Sequence, residues 1–143
     1  MIAEQKDSLD IIHPFFLNGW ANFGGIFENV EIFKNKDGLV TINGLAKGDF
    51  SKIIFKLPEG WKPKNQLIFS VCANETSKRL DINSNGELFL NHKGIPGTES
   101  GSGWLSLSGI SFYAKHSGEL IIFILNSINY YNLNDIIIKK IIL

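Results

Sequence analysis

Up to about Lys115, apolar residues recur at alternate positions over short stretches, and Gly, Asn, Asp and Pro separate those stretches. Leu39, Val40, Thr41 and Ile42 form a β-branched run directly after Asp37-Gly38, a dipeptide suited to the positive φ angles of a tight hairpin. Val30, Ile32 and Phe33 supply the partner strand. A second hairpin is expected at Asn85-Gly86. Leu80 and Ile82 alternate with Asp81 and Asn83 on one side of it, and Leu88 and Leu90 alternate with Glu87 and Phe89 on the other. Between the hairpins, Ile53 to Leu57 and Leu67 to Ala73 read as apolar strands joined by a loop with Pro58, Gly60 and Pro63. Proline cannot donate a ladder hydrogen bond, which keeps that connection out of a sheet.

The stretch Gly103 to Ala114 has the clearest two-residue period. Trp104, Ser106 and Ser108 share one face, and Leu105 and Leu107 share the other; beyond Gly109, Ile110 and Phe112 fall on the opposite parity. A β-bulge at the glycine produces such a slip, and a strand buried on both faces fits equally well. Nothing before Lys115 has helical spacing. The expected fold is therefore all-β, an antiparallel β-sandwich with Ile42, Leu45, Ile54, Phe55, Leu57, Ile68, Val71, Leu105, Leu107, Ile110 and Phe112 in its core. Gly94 to Gly103 reads as a mobile surface loop.

Residues 118–143 differ in kind, being rich in Ile, Leu, Asn and Tyr, with no Val or Pro. This Ile/Asn-rich extension reads either as an extra strand or helix covering the sandwich, or as an appendage without a role, such as translation past a lost stop codon. The sharp break in composition favours the second. The domain reading is thus a lead over 1–12, a β domain over 13–117 and an extension over 118–143. The 14 basic and 14 acidic side chains balance. The extension carries two of each sign (Glu119, Asp135, Lys139, Lys140), so neutrality belongs to the domain itself. A neutral domain lacks the surplus Lys and Arg of a nucleic-acid groove or an anionic-membrane binder. No signal-peptide apolar core opens the chain. The longest apolar run, Leu120 to Leu125, is far short of the roughly 20 residues that cross a bilayer. The expectation is a cytoplasmic product with no membrane insertion.

Candidate chemistry is sparse. The single cysteine, Cys72, lies between Val71 and Ala73 and reads as a packed apolar residue rather than a nucleophile. His13, His92 and His116 stand far apart, without the spacing of metal ligands. Glu59, Asp81, Glu87 and Glu99 offer carboxylates, but spacing alone pairs no two of them as acid and base. No cofactor, metal or catalytic residue is indicated, and an enzyme is not expected. Aromatic residues are more informative: Trp20, Phe23, Phe27, Trp61, Trp104 and Tyr113 sit beside glycines, prolines or strand ends. Sugar rings stack their C–H faces on such rings while nearby amides and hydroxyls satisfy the sugar hydroxyls.

In order along the chain, "FLNGWANFGG" (16–25), "FKNKDGLVTINGLAKGD" (33–49), "IIFKLPEGWKPKNQLIFSVCAN" (53–74), "RLDINSNGELFL" (79–90) and "GWLSLSGISFYA" (103–114) resemble the C-terminal head domain of bacteriophage tail-fibre and receptor-binding proteins. The resemblance implies a jelly-roll-like sandwich that forms a homotrimer at a fibre tip, located in the virion tail when assembled. Its partner would be a bacterial cell-surface polysaccharide or teichoic acid. Trp20, Asn22 and Phe23 in the first loop and Trp61 in the proline loop are the expected ligand contacts. The chain departs from the family in its short lead, which leaves no room for a stalk, and in its C-terminal extension. Both departures suggest a prophage remnant or a separately encoded tip. The alternatives are a structural cap or trimerisation domain that binds nothing, and a surface-polysaccharide depolymerase.

Overall fold

The computed structural model describes residues 9–116. The extension over 118–143, with both of its readings, lies outside the described residues, as does most of the 1–12 lead. Among the described residues there is no helix, and the strands form two antiparallel sheets. The smaller sheet holds, in spatial order, β1 (Asp10–Ile12), β3 (Glu31–Lys34), β4 (Leu39–Asn43) and β11 (Ile110–Tyr113). The larger holds β2 (Ala21–Asn22), β5 (Leu45–Asp49), β10 (Ser102–Ser106), β6 (Leu67–Ala73), β7 (Thr76–Ile82), β8 (Leu88–His92) and β9 (Ile95–Pro96). Ile32, Ile42 and Phe112 from the first sheet and Leu80, Leu88 and Leu105 from the second belong to one buried apolar cluster. Each such side chain contributes roughly 1.5–3 kcal/mol by leaving water.

Both expected hairpins form, and an asparagine closes each. Asn35 Oδ1 accepts from the backbone N–H groups of Asp37 and Leu39, both at 3.0 Å. Asn83 Oδ1 does the same for Asn85 and Glu87, at 3.1 and 3.0 Å. Gly38 and Gly86 take φ of 87° and 86°, whereas Asp37 and Asn85 do not have positive φ. The loops are therefore three-residue turns with glycine last, not the two-residue turn that Asp-Gly suggests. The longest hairpin, β6 with β7, turns at Asn74-Glu75, both left-handed at φ 47° and 68°. It lacks the glycine that marks such turns in a sequence. Asn74 also ties this turn to β10: its Nδ2 donates to the Ser102 carbonyl (2.9 Å) and its Oδ1 accepts from the Trp104 N–H (3.0 Å).

The parity slip at Gly109 has a third explanation, different from a bulge and from a doubly buried strand. The chain changes sheets there, because β10 belongs to the larger sheet and β11 to the smaller. Their partners do likewise at Gly44, since β4 pairs with β11 and β5 with β10. The four strands form one two-stranded ribbon that turns a corner from one sheet into the other, as in packings where strands switch sheets at a bend. Backbone bonds hold the corner: Leu107 N–H to the Gly44 carbonyl (2.9 Å) and Gly109 N–H to the Ile42 carbonyl (3.1 Å). Ser108 Oγ accepts from the Gly44 N–H at 3.0 Å.

Strand parity corrects several expectations. In β6, Leu67, Phe69, Val71 and Ala73 point inward, so Ile68 and Cys72, on the other parity, are exposed; Ile68 is 62% accessible rather than core. Leu45 is half-buried. The other expected core residues are buried. Ile53 to Leu57 is extended but forms only isolated bridges, Phe55 to Phe16 and Lys56 to Glu87. The Gly94 to Gly103 stretch is partly ordered by pairing: β9 adds to β8, and Glu99 Oε1 accepts from Lys78 Nζ at 2.9 Å.

A Cβ at Gly44 would lie 2.5 Å from the Val30 Cα and 2.6 Å from the Asn29 carbonyl oxygen, while one at Gly109 would meet nothing within 4 Å. Both positions have positive φ, 117° and 89°. Gly109→Ala is therefore expected to cost about 1–2 kcal/mol in urea unfolding, from backbone strain alone. Gly44→Ala adds a clash with backbone and is expected to cost at least about 3 kcal/mol. Equal losses at the two positions would show that the corner tolerates the methyl group.

Candidate functional site

Leu45, at the corner, organises the loop beside it. Its N–H donates to the Glu28 carbonyl (3.0 Å), and its own carbonyl accepts from the Phe23 N–H (2.9 Å). Asn22 Oδ1 accepts from the Val30 N–H at 2.8 Å and clamps the base of that loop. Within it Phe23 and Phe27 meet edge to face, with ring centroids 5.3 Å apart at 88°. This is a favoured geometry for aromatic quadrupoles, and it stiffens two half-exposed rings. Lys47 Nζ sits 5.9 Å from the Phe23 centroid.

The loop forms one wall of an open groove of about 520 Å³ on the outer face of the larger sheet. Leu45 and Gly44 make the floor, Trp104, Ser106 and Ser108 the facing strand end, with Cys72 and Glu28 completing the lining. The volume lies within the usual range for small-ligand sites, and apolar rings edged by a few hydroxyls are their usual composition.

The four expected contact residues separate. Phe23 lines the groove. Asn22 acts behind it as the loop clamp. Trp20 is buried, stacked on Phe50 (6.2 Å, 21°), and donates its indole N–H to the Lys52 carbonyl at 3.2 Å. Gly48 is needed because a Cβ there would meet the Trp20 ring at 2.3 Å. Trp61 is buried as well, under Lys34 Nζ at 4.5 Å from its ring, and that ammonium donates to the Gly60 carbonyl at 2.9 Å. Neither tryptophan offers a ring face to a ligand. The glycines beside them in sequence or space serve close packing, not loop exposure. Of the other lining residues, Phe27 and Trp104 belong to the aromatic group singled out in the sequence, whereas Ser106, Ser108, Cys72 and Glu28 were not expected as contacts. The shared parity of Trp104, Ser106 and Ser108 was the available signal. Cys72, expected to be packed, faces the groove because it lies on the outward parity of β6.

The acidic candidates are each tied to a separate structural partner. Glu59 pairs with Lys62 (3.1 Å), Glu99 with Lys78, and Glu87 accepts from Asn83 Nδ2 (2.9 Å). Asp81 is fully buried and accepts from Arg79 Nε (2.7 Å) and Nη2 (2.9 Å), Gln66 Nε2 (2.7 Å) and Asn91 Nδ2 (3.2 Å). Burial pushes its carboxyl up, but these bonds and the Arg79 charge outweigh burial and hold its pKa below the ordinary carboxylate value. A second cleft of about 510 Å³, lined by Gln66, Asn83, Glu87 and Phe89 among others, spends much of its polar capacity on internal bonds and has no paired exposed rings. His13 stands 3.9 Å from Glu31 and His92 3.7 Å from Glu99. Among the described residues no group of three or more His, Cys, Asp or Glu side chains could hold a metal, and no helix is long and apolar enough to cross a membrane.

Fold and groove define an antiparallel two-sheet β protein with an aromatic surface cleft. In comparisons with known proteins, no family model, curated protein or solved structure matches the chain.

Because the folded-state pKa of Asp81 is depressed, its stabilisation is present above the unfolded value of about 3.9 and is lost as pH falls through the folded value. Asp81→Asn is expected to lower stability by about 2–3 kcal/mol at pH 7. In denaturant titrations, the gap to the unsubstituted protein should narrow as the pH drops below about 4. A gap constant with pH would mean that the carboxylate charge contributes nothing.

Proposed function

We propose that the chain is a phage or prophage-derived tail-fibre tip domain that attaches to the host by binding bacterial cell-surface glycan in the groove beneath Phe23 and Phe27. The observation that carries this reading is the groove itself: three aromatic rings set around an apolar floor, with hydroxyls at the edge. Rings of this kind stack on sugar C–H faces, and serine hydroxyls and a carboxylate exchange hydrogen bonds with sugar hydroxyls. Balanced charge supports a ligand recognised by stacking and hydrogen bonds more than a polyanion held by charge. In this reading the fold is jelly-roll-like, the working unit is a homotrimer in the virion tail, and three weak sites on one tip gain avidity.

One feature favours a second reading, a fibre cap or trimerisation unit that binds no glycan. Ile26 is 96% exposed and Phe15 83%, apolar surface that packing against other copies of the chain would take out of water.

Glycan arrays and purified wall polysaccharide, probed with the full chain, separate the two. The attachment reading expects binding that weakens by about tenfold in Phe27→Ala and in Trp104→Ala, with the unfolding midpoint little changed. Failure of the unsubstituted protein to bind any glycan or host cell, or binding indifferent to both substitutions, would reject it.

A further inference from the structure

The two banks of the groove differ in hydrogen-bonding character. Its floor, Gly44-Leu45, is bonded on one side to the Phe23–Glu28 loop and on the other to the Leu107–Ser108 corner. Glu28 thus stands on one bank and Ser106 and Ser108 on the other. A carboxylate accepts hydrogen bonds. Ser108 Oγ already accepts from the Gly44 N–H, which leaves its proton for a ligand. The Ser106 hydroxyl has no partner among the described residues and is half-buried at the lining. One bank therefore accepts and the other donates. Backbone to backbone, Glu28 and Ser106 are separated by about two strand spacings, roughly 9.5 Å, with Leu45 between them, since Leu45 bonds to the Glu28 carbonyl and pairs with Ser106.

A sugar bearing only hydroxyls would place a polar group over Leu45 without a partner, which is costly. An acetamido substituent fits better. Its N–H and C=O point in opposite directions, and its methyl group suits an apolar floor. Resting on the glycan reading, we infer that the groove selects an N-acylated amino sugar. The amide N–H is given to Glu28, the amide oxygen accepts from the Ser106 and Ser108 hydroxyls, the methyl lies on Leu45, and the ring stacks on the aromatic wall.

Tri-N-acetylchitotriose and cellotriose differ only in their acetamido groups, so calorimetric or saturation-transfer titration of the full chain with both is the test. The expected result is at least about tenfold tighter binding of the acetylated trimer, the scale set by matched polar groups in a site built for them. Glu28→Ala, at an exposed position, and Ser106→Ala, at a half-buried one, should each weaken the acetylated trimer more than cellotriose and so narrow that preference to about threefold or less. Equal affinity for the two trimers, or a preference untouched by both substitutions, overturns the inference and leaves the glycan reading standing. Absence of binding by either trimer and by every wall polysaccharide overturns both.

Discussion

A methyl group at position 44 would lie 2.5 Å from the Val30 Cα, so only a glycine lets the chain pass between the Asn29–Val30 backbone and the Leu107–Ser108 turn. The rest of the architecture depends on that close passage. It lets one strand leave the smaller sheet as β4 and enter the larger as β5 while its partner makes the same change from β11 to β10. The two sheets are thereby joined by continuous, hydrogen-bonded ribbon as well as by apolar contact across the core. Ser108 completes the corner by accepting the Gly44 N–H, a donor that the bend takes out of the ladder.

The groove follows from the same bend. Where the ribbon turns, Leu45 is left half-covered, and its backbone groups bind the Phe23–Glu28 loop instead of a regular neighbouring strand. Asn22 fixes the base of that loop, and the Phe23–Phe27 pair stiffens its rim. A pre-formed surface of rigid rings loses little conformational freedom when something docks on it, which lowers the cost of binding there. Trp20 and Trp61, by contrast, serve the fold: one fills the space over Gly48, and the other supports Lys34.

Much of the β architecture was legible because its signals are local. Alternation located β3, β4, β6 and β8, and Asn-x-x-Gly turns fix the two expected hairpins through bonds made within five residues. The sheet change was not legible. A parity slip at a glycine has several solutions, and the choice at Gly109 is made by its contact with Ile42, distant in the chain. The site was only partly readable for the same reason. Phe23 and the Trp104–Ser106–Ser108 face were visible as patterns, but Cys72 and Glu28 reach the groove only through strand pairing and loop docking. Ile68 and Val71 lie on opposite parities of one strand, so both could not face the core. Trp20 and Trp61 looked like loop residues because their sequence neighbours are glycines and a lysine-proline loop, whereas their burial depends on Gly48, Phe50 and Lys34.

The central claim is that the corner at Gly44 and Ser108 is an integral part of the folded core and not a hinge between two sheets. Native-state hydrogen exchange of the Gly44, Leu107 and Gly109 amides tests it most directly. If the claim holds, these three amides exchange only through global unfolding, with the same opening free energy as the amides of buried Ile42 and Leu105. Exchange at the corner by local opening, while Ile42 and Leu105 stay protected, would contradict it.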